Sequence, residues 1–190
     1  MEHNKNCCCR HHSESRTKTA GKWVFSVGFV FVLVILTKPF MADQLIRRAD
    51  AYYCNGLYED AVRQYEKAIL LDESESFVWV SLGNSLQAKN EIGKAIAAYK
   101  KSVELAPEDR AANYNLGAAF AISKDYRSAV MYLEKVRTLG PESKEELLGG
   151  GFSYYRASLD ALAMCFEKLE EFGKSAVIRK ELSQLRRGER

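Results

Sequence analysis

The sequence predicts an all-α chain of stacked helix pairs with one apolar helix ahead of them. Three observations carry this reading. Alanines recur at 61, 95 and 129, two intervals of 34 residues. Each is followed four positions later by a large side chain, Tyr65, Tyr99 and Leu133, the spacing of neighbours on one helical face. Upstream of the first interval runs a nearly unbroken apolar segment, Trp23–Leu36, interrupted only by Ser26 and Gly28.

The chain starts with a tail, residues 1–21, that reads as disordered, basic and cytosolic. Residues 1–42 hold six Lys or Arg against Glu2 and Glu14, whereas residues 43–190 hold 22 basic and 23 acidic side chains. The net charge of +3 therefore belongs to the tail. A nucleic-acid binder concentrates positive charge on its folded surface, so no nucleic-acid partner is expected. Five cysteines, an odd number at positions 7, 8, 9, 54 and 165, do not form a recurring disulfide framework. Cys7, Cys8 and Cys9 precede Arg10, His11 and His12. Adjacent ligands wrap a tetrahedral ion only with distortion, so no metal site is assigned; a reduced tail, juxtamembrane lipidation and zinc or copper binding by thiolate and imidazole all stay open.

Residues 22–42 read as a transmembrane signal-anchor helix. About 15 apolar residues at ~1.5 Å each reach only ~22 Å of a ~30 Å hydrocarbon core. Ala20, Gly21, Phe40, Met41 and Ala42 extend the run, and Lys22 and Lys38 bracket it, able to snorkel toward headgroups. Pro39 is expected to end the helix. The alternative is a cleaved signal peptide, leaving an exported soluble protein. Its cleavage site would follow Ala42, with bulky Phe40 at −3, a poor match to small-residue sites. Lys5, Arg10, Arg16, Lys18 and Lys22 precede the span, so the positive-inside bias leaves the N-terminus cytoplasmic and the repeats extracytoplasmic.

The 34-residue period then divides residues 43–143 into units 42–75, 76–109 and 110–143. Leu82 and Gly83 recur as Leu116 and Gly117, and Pro107 as Pro141. The unit 76–109 carries Trp79, Leu82, Gly83, Leu86, Ala95, Tyr99, Ser102 and Pro107; the unit 110–143 carries Asn113, Leu116, Gly117, Phe120, Ala129, Leu133, Val136 and Pro141. The unit 42–75 reads Leu45, Arg48, Ala49, Tyr52, Ala61, Tyr65 and Ala68, with Glu73 at the proline position. These positions resemble the tetratricopeptide repeat, or TPR, over about 100 residues. Asn113 departs from the expected Trp, and Arg48 from an apolar residue. A weaker fourth unit, 156–190, carries Leu159, Leu162, Ala163, Phe166, Phe172, Ser175 and Leu182, with Arg179 at a large apolar position. It is set off by an insertion, 144–155, containing Gly149, Gly150 and Gly151, and reads as a C-terminal cap with a polar outer face.

The resemblance implies a right-handed superhelical solenoid of three to four helix-turn-helix repeats. Glycine or alanine at 83, 117, 95 and 129 lets paired helices cross closely. A proline such as Pro107 or Pro141 stops one helix before the next. The resemblance also implies a concave groove that binds a peptide or helix of a protein partner. Its wall is lined by Ile46, Arg47, Asp50, Tyr53 and Cys54, then Phe77, Val80, Ser81, Asn84 and Gln87, then Tyr114, Asn115, Ala118 and Ile122. Of these, Phe77, Val80, Asn84, Tyr114, Asn115, Ile46 and Tyr53 are the candidate binding residues. The same side chains serve equally to cover the inner wall or to pack on segment 144–155. A carboxylate clamp is not expected, because Val80 and Ala111 stand where family members place lysines.

No catalytic residue is assigned. All three histidines lie in the tail, so the repeats lack the commonest general base. Gly173, Lys174 and Ser175 resemble the end of a phosphate loop, but Lys168 stands where its first glycine belongs,. The expected protein is a non-catalytic interaction scaffold without cofactor or metal, tethered through its N-terminal helix. Self-association is a further possibility.

Overall fold

The computed structural model describes residues 27–141 and 153–188, with side chains over 38–141 and 153–185. Among these residues the fold is all-α and TPR-like: α1 (Val27–Cys54), α2 (Tyr58–Leu71), α3 (Ser76–Ala88), α4 (Ile92–Leu105), α5 (Arg110–Ile122), α6 (Tyr126–Leu139), α7 (Tyr154–Lys168) and α8 (Phe172–Gly188). The tail 1–21 and nearly all of the insertion lie outside the described residues. The 22–42 span lies mostly outside those with described side chains. Among the described residues no helix is long and apolar enough to cross a membrane.

Residues up to Glu73 form one compact unit and those from Ser74 a second. In the first, α1 packs on α2. Pro39 does not end a helix as the sequence suggested; α1 runs through it to Cys54. A proline removes one ladder hydrogen bond and crowds the preceding turn, yet the remaining bonds and the burial of Ala42, Ile46 and Ala49 hold the helix on. The repeat therefore begins without a break from the apolar segment. In the second unit, α3 packs on α4, α5 on α6 and α7 on α8.

Each pair is joined by the same three-residue turn. The residue at its centre is left-handed: Gly56 at φ 74°, Asn90 at 64°, Lys124 at 66° and Glu170 at 61°. The next amide reaches back five residues to close the helix end, as Leu57 N–H does to Tyr52 O at 2.9 Å, Glu91 to Leu86 at 2.9 Å, Asp125 to Phe120 at 3.0 Å and Glu171 to Phe166 at 2.8 Å. This is a Schellman stop. Its short reach folds the second helix back along the first. Glu170 follows Lys124 by 46 residues rather than 34, so the 12-residue insertion shifts the register without changing the turn.

Helix pairs cross where a side chain is missing. A Cβ added to Gly83 would lie 2.3 Å from Cε1 of Tyr99, and one on Gly117 would lie 2.7 Å from Cγ of Leu133. Tyr99, Leu133, Ala95 and Ala129 are fully buried around these crossings, with Leu82 and Leu116; Trp79 is half-buried. Between pairs, Ala129 and Leu133 join Leu159, Leu162, Phe166, Ile178 and Leu182 in one apolar cluster. The Phe120 ring stacks on Tyr132 at 5.7 Å and takes the Lys100 ammonium at 5.4 Å from its centroid, linking α4, α5 and α6. Pro107 and Pro141 stand two residues past the ends of α4 and α6, after the cap residues Ala106 and Gly140.

Asn113, which replaces the expected Trp, is fully buried. Its amide donates to the carbonyls of Pro107 at 2.9 Å and Asp109 at 2.8 Å, so it ties down the loop where a Trp would fill space. Asp109 caps the same helix through Ala112 N–H at 3.0 Å. In α8, Arg179 at the large apolar position turns outward and donates to Glu167 at 2.8 Å, while Ile178 and Leu182 take the interior. The outer face of α8 is not uniformly polar as expected: Phe172 and Val177 are 65% and 60% exposed.

Two substitutions test this packing. Gly83→Ala forces the Tyr99 ring from its place and is expected to cost about 1–3 kcal/mol of stability, read by urea unfolding. Lys124→Gly relieves a left-handed residue that keeps its Cβ and is expected to add roughly 0.5–1 kcal/mol, read as a higher melting temperature.

Candidate partner-binding face

The seven expected groove residues divide between the two units. In the first, Ile46 is buried and contributes little surface, whereas Tyr53 is exposed with its ring edge-on to Tyr58 at 5.5 Å. In the second, α5 packs against both α3 and α7, so the first helices of successive pairs form one layer. Phe77 stands 37% exposed on α3, and Val80 one turn further is buried. Tyr114 and Asn115 on α5 are half-buried.

Asn84 is less available than its position suggested. Its Oδ1 accepts the Tyr99 hydroxyl at 2.7 Å, and Gln87 Oε1 lies 3.3 Å from the same hydroxyl. A phenol has one proton, so the shorter contact takes it. The first unit repeats this clasp 34 residues earlier, Tyr65 to Asp50 at 2.5 Å. The clasp spans the two helices of a pair and fixes which face of the Asn84 amide meets solvent.

Tyr114 lies 5.7 Å from the Tyr154 ring, at the end of the inserted segment. Burial first, then the Asp160 carboxylate, push its hydroxyl above the usual tyrosine range. The sequence reading extended the face only to α5. Structure adds α7, where Asp160 is exposed and Met164 is 44% exposed. The offset that puts Glu170 in the turn also puts Asp160 in register with Val80 and Tyr114. Carrying the face through the 12-residue shift would have found it.

A polar cluster holds α7 and α8 to α6. Arg137 donates to Glu181 at 3.0 Å through Nε and pairs with Glu134 at 3.2 Å; Tyr155 donates its hydroxyl to the other Glu181 oxygen. Burial opposes the Glu181 charge, but Tyr155 and Arg137 outweigh it and hold the carboxyl below its usual range. Burial, then the Glu181 bond, push Tyr155 up to about 12, so it stays a donor. Cys165 is a buried free thiol, and burial raises its pKa above the usual thiol range. Among the described residues no group of His, Cys, Asp or Glu is placed to hold a metal.

Family models match at two places: a tetratricopeptide-repeat model over residues 42–75 and a TPR model over 83–121. The chain contains tetratricopeptide repeats. Among curated proteins, anaphase-promoting complex subunit 6 of Arabidopsis thaliana is 28% identical over 90 residues, 47% of this chain and 17% of that protein. Protein O-mannosyl-transferase TMTC1 of Homo sapiens is 31% identical over 91 residues, 46% of this chain and 10% of that protein. The chain thus spans under a fifth of the length of these relatives. A crystal structure of MamA protein superposes with a TM-score of 0.66 at 18% identity, over 82% of this chain and 79% of that one. The first TPR of Spaghetti (RPAP3) bound to the HSP90 peptide SRMEEVD gives 0.59 at 18% identity, over 68% and 94%. The Yersinia enterocolitica chaperone SycD with a peptide of the translocator YopD gives 0.58 at 22%, over 68% and 93%. These likenesses are of fold.

The cluster predicts an acid response. Glu181 has a depressed folded pKa, so its contribution is present above the unfolded carboxyl value of about 4.3 and fades as pH falls through the lower folded value. Glu181→Gln is expected to lower the melting temperature at pH 7, and the gap to wild type is expected to close as the pH is taken down to about 3. A gap unchanged with pH would rule out the charge as its source.

Proposed function

We propose that this protein is a membrane-tethered, non-catalytic scaffold whose TPR layer binds a peptide or helix of a partner protein. The observation that carries the reading is the layer of α3 and α5, where Phe77, Tyr114 and Asn115 keep accessible surface on adjacent helices. Structural neighbours solved with bound peptides support that use of the fold. The apolar run Trp23–Leu36 between Lys22 and Lys38 supports the tether, with the N-terminus cytoplasmic and the repeats on the far side.

The test is crosslinking and recovery of the full chain from intact membranes. The same partners are expected with wild type and lost with the double variant Phe77→Ala, Asn115→Ala. Equal recovery by both would remove the face from the account. Tethering is checked separately. The chain is expected to resist alkaline extraction and to keep its N-terminal peptide in the mature mass. A single span puts a bilayer between Cys54 and Cys7, Cys8 and Cys9, so non-reducing peptide mapping that joins Cys54 to any of the three would overturn it. A mature start near residue 43 would instead favour an exported soluble carrier. Self-association is the second reading, favoured by exposed Phe172 and Val177 on α8; light scattering at several concentrations reads it.

A further inference from the structure

In the first two pairs of the second unit, α3–α4 and α5–α6, the charges are segregated by helix. α3, Ser76–Ala88, carries none, and α5, Arg110–Ile122, carries only Arg110, which donates to the Leu139 carbonyl at 3.3 Å. Their partners α4 and α6 carry Lys94, Lys100, Lys101, Glu104, Arg127, Glu134, Lys135 and Arg137. Burial alone does not explain an uncharged layer, because Phe77 and Ile122 are 37% and 52% exposed, and grouped exposed apolar side chains mark interaction surfaces. Half-buried Ala111, Ala118 and Ala121 lie between them. The layer continues onto α7 through Ala157, Ala161 and Met164 and there meets exposed Asp160; the same helix carries Arg156, Lys168 and Glu167, the last paired with Arg179.

We propose that the α3–α5–α7 layer takes an amphipathic helix whose contacting face is apolar and uncharged, with a Lys or Arg at the end that reaches Asp160. This rests on the scaffold reading above and names the class of partner. Burying an unpaired charge is costly, and the one charged residue on α3 or α5, Arg110, stands at the start of α5 and is turned to the Leu139 carbonyl. An acidic peptide like the SRMEEVD held by the Spaghetti TPR would meet Val80 and Ala111 where it needs cations. The alanines leave room for bulky Leu- or Phe-type side chains to enter. Three helices spaced ~8–10 Å apart present about 20 Å, the length of roughly 13 helical residues at ~1.5 Å each.

Fluorescence anisotropy on the full-length chain tests this with three labelled peptides. Two are 14-residue amphipathic helices with a Leu/Ala face, one ending that face in Lys and the other in Glu; the third is SRMEEVD. The Lys helix is expected to bind about tenfold more tightly than the Glu helix at low salt, and the preference is expected to narrow at high salt as the contact with Asp160 is screened. Asp160→Asn should bring the two helices to similar Kd values, and Ile122→Lys should weaken both; both sites are exposed, and unchanged melting curves would show the fold intact. Tighter binding of SRMEEVD, or a Lys preference that survives Asp160→Asn, would overturn this inference while leaving the scaffold standing. Binding of none of the three overturns it as well; if crosslinking also recovers no partner, the scaffold falls with it.

Discussion

A helix pair can bury its apolar stripe only if its axes come close, and closeness here is set by two hydrogen atoms. Where Gly83 faces the Tyr99 ring and Gly117 faces Leu133, the space that a Cβ would occupy is already filled. Packed interiors transmit such displacements, because they have little void to absorb them. The Tyr99 ring packs against Gly83, and from there its hydroxyl reaches Asn84. The tightness of the crossing and the orientation of a candidate binding amide are thus one geometry. Remove the close approach and the clasp goes with it.

The turns make the crossing reproducible. Four hairpins end their first helix in the same left-handed stop, yet the residue that adopts it changes from Gly56 to Asn90, Lys124 and Glu170. Only the first has no side-chain penalty there, so the others are held in place by the packing on either side of them. The fourth pair shows how local geometry tolerates disruption of register. Its helices keep the spacing of a repeat although twelve extra residues precede it, and Glu181 ties it to α6 through Arg137 and Tyr155. An ion cluster of this kind fixes position more than it adds stability.

Functionally, the division of labour is between helices of a pair. In the two middle pairs the second helices, α4 and α6, carry nearly all the charge. First helices α3 and α5 are nearly charge-free and form a continuous layer with α7. The TPR fold itself is shared with proteins of quite different sizes and roles, so it identifies no partner.

The 34-residue spacing of Ala61, Ala95 and Ala129 was sufficient to specify all-α helix pairs and the TPR pattern, because periodic packing residues are a direct record of which surfaces must meet. The close crossings at Gly83 and Gly117 were likewise legible, since nothing else explains a glycine inside a helix of this composition. Other features needed coordinates. Pro39 read as a stop, but α1 passes through it, because tertiary burial can outweigh one lost hydrogen bond. Asn113 read as a missing Trp, and only the fold brings the Pro107 and Asp109 carbonyls within reach of its amide. Val80 and Ile46 sat at groove offsets but are buried, since an offset gives the direction of a side chain and not what covers it. Asn84 carried the right chemistry, and only the partner helix revealed that its carbonyl is already bonded. Sequence period determines which residues share a face; the packing of one face on another decides what each residue is left free to do.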